Sequence, residues 1–105
     1  MMRITTWRQN APPPAGTSPG AAIAAFNEAV AALKKVPGVG DVYWGLGSGG
    51  IVTVGFPTGY AAADAVLKDP GVQAAVAKIF SLGIGITDDV FALTPDQAMP
   101  FLPQQ

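Results

Sequence analysis

The chain predicts an α+β domain, a four-stranded antiparallel sheet with two helices on one face in the order β-α-β-β-α-β. Three features of the sequence carry this reading. A glycine-rich turn joins two β-prone runs in the middle of the chain. An apolar stripe at helical spacing lies on each side of that hairpin, and a further β-prone run stands at each end.

Arg3 to Arg8, with Ile4, Thr5, Thr6 and Trp7 between them, reads as the first strand. Residues 11–20 hold four prolines and two glycines, a connection that cannot be helix or central strand. Ser18 followed by Pro19 predicts a helix start, cap first and first-turn proline second. Ile23, Phe26, Val30 and Leu33 form the stripe of this helix, and Lys34 and Lys35 suit the negative end of its dipole. Val36-Pro37-Gly38 stops it.

Asp41 to Leu46 and Ile51 to Phe56 flank Gly47-Ser48-Gly49-Gly50. A two-residue turn at Ser48-Gly49 sets Gly47 against Gly50, Leu46 against Ile51, Trp44 against Thr53, and Tyr43 against Val54. The pleat then separates two faces. One carries Val42, Trp44, Leu46, Ile51, Thr53 and Gly55, and the other Tyr43, Gly45, Val52, Val54 and Phe56. Neither is polar, whereas a solvated sheet face alternates apolar with charged residues. Both faces therefore require cover. Helices suffice for one, assigned here to the Tyr43 side, and a second copy of the chain covers the other. Val42, Trp44, Leu46, Ile51 and Thr53 are the expected dimer interface.

Thr58 is placed to cap a short helix through Leu67, and Asp69-Pro70 breaks and restarts it. Val72, Val76, Ile79, Phe80 and Gly83 form the next stripe. The last strand is Asp89 to Leu93, with Ile84 and Ile86 as a possible beginning. The domain is assigned to residues 1–97 and a tail to 98–105, whose Met99, Phe101 and Leu102 call for cover on a partner subunit.

Composition narrows the chemistry. The apolar fraction is 50% and the charged fraction 12%, which excludes a disordered chain and leaves little charge to solvate a surface. A net charge of −1 offers no basic stripe for a phosphate backbone, so nucleic acid is not an expected partner. With neither cysteine nor histidine, the chain has no thiolate nucleophile, no Ser-His-Asp triad and no ordinary zinc set. No metal or cofactor is expected. Without a signal-like N-terminus or an apolar run of spanning length, the expected location is cytoplasmic and off the membrane.

Two motifs resolve into structure. Gly45-Leu46-Gly47-Ser48-Gly49-Gly50 has dinucleotide-loop spacing, but a strand follows where that site needs a helix, so it is read as the hairpin turn. Asp88 and Asp89, adjacent on a strand, point to opposite faces and are read as solvated charges.

The element order, the helix restart at Asp69-Pro70-Gly71-Val72 and the ending Val90-Phe91-Ala92-Leu93-Thr94-Pro95 resemble the ferredoxin-like, dimeric α+β barrel superfamily. Lys35-Val36-Pro37-Gly38-Val39 before a strand is similar to the antibiotic biosynthesis monooxygenase family. The resemblance implies two sheets paired into a barrel, and a small molecule bound between sheet and helices. Cofactor-free oxygenases of that family carry an Asn and a Trp near the end of the third strand, where this chain has Val54, Gly55, Phe56, Pro57 and Thr58.

The expected function is a homodimeric binder of a small apolar or aromatic molecule, held in a mainly apolar pocket by Trp7, Arg8, Tyr43, Val54, Phe56 and Phe80. The alternatives are a cofactor-independent monooxygenase or isomerase, with Tyr43 or Arg8 stabilising an enolate, and an interaction domain without ligand.

Overall fold

The computed structural model describes residues 1–102. Its elements are β1 (Met2–Gln9), α1 (Ala21–Lys34), β2 (Val39–Gly47), β3 (Gly50–Pro57), α2 (Tyr60–Lys68), α3 (Pro70–Ser81) and β4 (Ile84–Ala92). A short α4 (Pro95–Ala98) and a 3-10 turn (Met99–Phe101) follow. Every strand pairing is antiparallel and the sheet order is β2-β3-β1-β4. The predicted architecture is the observed one. The last three residues of the 98–105 tail lie outside the described residues.

The hairpin register is also as predicted, from Gly47 opposite Gly50 to Tyr43 opposite Val54. Glycine is required at Gly50, where φ is 135° and a Cβ would run into the backbone carbonyl of Trp7. The second helix breaks at Asp69, whose extended backbone (φ −72°, ψ 122°) satisfies the proline that follows. Its carboxylate accepts a 2.9 Å hydrogen bond from the Val72 N–H and caps α3.

Other helix starts differ from expectation. Ser18 does not cap α1; its carbonyl accepts from the Ala21 N–H in a turn, and Gly20 precedes the helix without a side-chain cap. Gly59, not Thr58, precedes α2. The buried stripe of α1 is Ala25, Phe26 and Ala29, rotated from the one expected, and Ile23 is 56% exposed. Ala25 and Ala29 of α1 are buried with Ala75 of α3, while the Phe26 ring is buried against the sheet.

The core joins Trp7, Ala25, Phe26, Ala29, Ala75, Ile79 and Ile84. The Trp7 ring meets the edge of Phe26 at 5.4 Å, and Trp44 stacks on Phe26 at 5.5 Å. Both tryptophans thus face the helices, which reverses the face assignment made from the sequence. Val42 and Thr53 are buried under the helices, Trp44 and Ile51 are half-buried there, and Leu46 lies at the exposed hairpin tip. Those five residues are not placed for a sheet-to-sheet interface. Tyr43, Val54 and Phe56 are on the opposite, open face, where Tyr43 is 58% exposed.

The open face continues across the sheet. Register places Ile4 opposite Val54 and Val90, and Thr6 opposite Val52 and Asp88. Between Thr6 and Trp7 the pairing with β4 slips by one residue, leaving Thr87 without a partner on β1. This bulge changes which β4 residues face the helices, from Ile84 and Ile86 before it to Asp89 and Phe91 after it.

Candidate functional site

The helices do not close over the whole sheet. Between the sheet and the α2–α3 pair lies a cavity of ≈ 320 Å³. Its floor is Val42, Gly55, Thr53, Thr5 and Trp7, supplied by β2, β3 and β1. Its roof is Ala63 and Val66 of α2 with Val72, Val76, Ala77 and Phe80 of α3. Leu33 and Val39 close one end, while Arg3, Phe80 and Ile86 stand at the other, where Phe80 remains 50% exposed. Two features hold the space open. Gly55 puts no side chain on the floor, and alanines occupy roof positions that larger residues would fill.

The polar residues lining it are few: Arg3, Thr5, Trp7 and Thr53 from the sheet, and Gln73 from α3, whose amide Nε2 donates to the Leu67 carbonyl at 2.8 Å. Arg3 grips Asp89 with both ends of its guanidinium, Nε to Oδ1 at 3.1 Å and Nη2 to Oδ2 at 2.9 Å. The guanidinium also lies 5.2 Å from the centre of the Phe91 ring. The Thr5 hydroxyl donates to Asp89 Oδ1 at 2.8 Å. Partial burial pushes the Asp89 carboxyl up, but hydrogen bonds from Arg3 and Thr5 and the charge of Arg3 outweigh it and hold the group below its ordinary value. Asp89 stays ionised at neutral pH. Beside it, Trp7 Nε1 donates to Thr53 Oγ1 at 3.1 Å.

The structure brings Trp7 and Phe80 together at this cavity and leaves the other expected ligand contacts elsewhere. Tyr43, Val54 and Phe56 lie across the sheet, so the pocket does not contain them. Arg8 is exposed and donates Nε to the Gly49 carbonyl at 2.8 Å, tying β1 to the hairpin turn. Neither group proposed to steady an enolate reaches the cavity. Asp88 and Asp89 do point to opposite faces, but Asp89 is an ion-pair partner, not a merely solvated charge.

Sequence reasoning missed Arg3, Thr5, Gly55 and Asp89, and took Thr53 for interface. One signal was available. Aligning β1 with the hairpin puts Trp7 beside Ile51 and Thr5 beside Thr53, so the face holding both tryptophans is the one that must be buried. The contribution of β4 was not readable, because the bulge changes its parity.

No group of three potential metal ligands occurs among the described residues. No helix among them is long and apolar enough to cross a membrane. No family model matches the chain, and no curated protein matches it. Among solved structures, the crystal structure of a dimeric ferredoxin-like protein of unknown function from Jannaschia sp. CCS1 is similar, with a TM-score of 0.58 and 20% sequence identity. The match covers 88% of this chain and 100% of that one. The likeness agrees with the strand order in placing this chain among ferredoxin-like folds.

Proposed function

We propose that this protein is a homodimeric small-molecule binder that takes one small, mainly apolar ligand per subunit between the sheet and the α2–α3 pair. The observation that carries the reading is the ≈ 320 Å³ cavity with its hydrocarbon walls and a few convergent polar groups. That combination of size and lining is what small-molecule sites commonly have. A catalytic version, an oxygenase or isomerase exploiting the acidity of its substrate, would have to use Arg3 in place of Tyr43 and Arg8. Asp89 already neutralises Arg3, so binding is the better-supported function.

The dimer is supported by surface area. A monomer of 10.7 kDa is expected to expose about 5,500 Å². This chain exposes 6542 Å². The excess, on the order of 1,000 Å², includes the exposed loop at residues 11–20 and the C-terminal segment as well as the open sheet face. The open face carrying Ile4, Tyr43, Val52, Val54 and Val90 is the apolar surface available for it, and the similar Jannaschia protein is described as dimeric.

The test is titration with the neutral fluorescent probe N-phenyl-1-naphthylamine, with native mass spectrometry to count bound molecules. The wild type is expected to bind one per subunit. Gly55→Val should abolish binding: a Cβ there meets only Val42 Cγ2 at 3.8 Å, so the side chain fits the strand and occupies the cavity floor. Its melting temperature should be unchanged or higher, because valine suits a strand better than glycine. Undiminished probe binding by folded Gly55→Val would refute the site.

A further inference from the structure

The polar floor of the cavity is a matched pair of hydroxyls. Thr5 and Thr53 are direct cross-strand partners, both buried and both on the cavity wall. Their hydrogen-bond directions are forced by their neighbours. An ionised carboxylate only accepts, so the Thr5 proton points to Asp89 and the remaining lone-pair capacity of Thr5 Oγ1 is open. An indole N–H only donates, so Thr53 Oγ1 accepts from Trp7. The Thr53 proton has no acceptor among the described residues. The floor therefore offers an acceptor and, one strand away, a donor, with side-chain stems about 5 Å apart.

We propose that the cavity selects neutral, mostly apolar molecules carrying a hydroxyl group, which donates to Thr5 Oγ1 and accepts from Thr53 Oγ1. This rests on the binding function proposed above and specifies the ligand class of the same site. A bare hydrocarbon leaves the Thr53 proton unpaired. A carboxylate can only accept, meets the lone pairs of Thr5, and finds the one cation on the wall already paired with Asp89. A hydroxyl is the smallest group that both donates and accepts through one atom, and so answers both threonines at once. Asp89 is a positioning residue here, acting through Thr5 and Arg3.

The test is displacement of the naphthylamine probe at neutral pH by naphthalene, 2-naphthol and 2-naphthoate, which share one apolar body. The wild type should bind 2-naphthol about tenfold more tightly than naphthalene, with 2-naphthoate weakest. Thr5→Val should erase the preference for 2-naphthol while leaving naphthalene affinity within a few-fold. Thr53→Ser, which keeps the hydroxyl and the Trp7 bond, should retain the preference. Equal binding of 2-naphthol and naphthalene, or 2-naphthoate as tight as 2-naphthol, overturns the inference while leaving the apolar site standing. A wild type that binds neither the probe nor any of the three overturns both. The wild-type comparison is decisive even if Thr5→Val does not fold.

Discussion

At Asp89 one carboxylate ties three strands' worth of chemistry into a single cluster. It receives two hydrogen bonds from Arg3 and one from Thr5, and Thr5 in turn faces Thr53 and its Trp7 donor. Because its folded-state pKa lies below the unfolded value, the carboxylate contributes stability that is present above the ordinary carboxylate range and lost as pH falls through the folded value. Asp89→Asn should lower stability by about 1 kcal/mol at neutral pH, a modest figure because the pair is partly solvated. Urea melts across pH should show the gap between wild type and variant closing below about pH 4. A gap that persists in acid would mean that packing, not charge, holds Asp89. Of this cluster the sequence reading named Trp7 as a ligand contact and Thr53 as interface, but not the pairing that joins them to Asp89. Arg3 and Asp89 are 86 positions apart, and no local pattern links them.

The element that most shapes the cavity is the interrupted helix. Asp69-Pro70 ends α2 and restarts α3, so two short segments roof the sheet in place of one straight rod. The break was legible in the sequence because proline's constraint on its predecessor is local. The Asp69 carboxylate is the only side-chain cap at the start of α3, and Val72, Val76 and Phe80 follow from that start to line the roof. Asp69→Ala should cost about 1 kcal/mol in urea melts, and Asp69→Asn should recover most of it. The same order of loss in both variants would show that the cap is not the cause. By contrast, the Ser18 and Thr58 starts did not form, since a cap residue also needs a backbone that enters the helix at its position.

For the whole molecule, the consequence of the reversed sheet faces is a different face left open for the proposed dimer. In the proposed dimer the covered surface is the Tyr43, Val54 and Val90 side, not the Trp44 side. Val54 lies on β3, one of the two central strands, opposite both Tyr43 and Ile4. Val54→Asp should convert a dimer into a monomer of 10.7 kDa in sedimentation velocity, with probe binding retained in each subunit. Thr53, one residue away on the other face, should tolerate serine without any change of oligomeric state. A wild type that sediments as a monomer at every concentration would remove the dimer.

Element order, hairpin register, the Asp69 break and the lack of histidine and cysteine chemistry all follow from the chain read alone. Each depends on neighbours in sequence or on simple presence. Where a cavity remains and which polar groups meet in it are settled only when the chain packs, and the hairpin read by itself left the helix-facing side undecided. Both sheet faces are apolar, so alternation could not rank them; the stacking of Trp7, Phe26 and Trp44 and the β4 bulge made that choice in three dimensions.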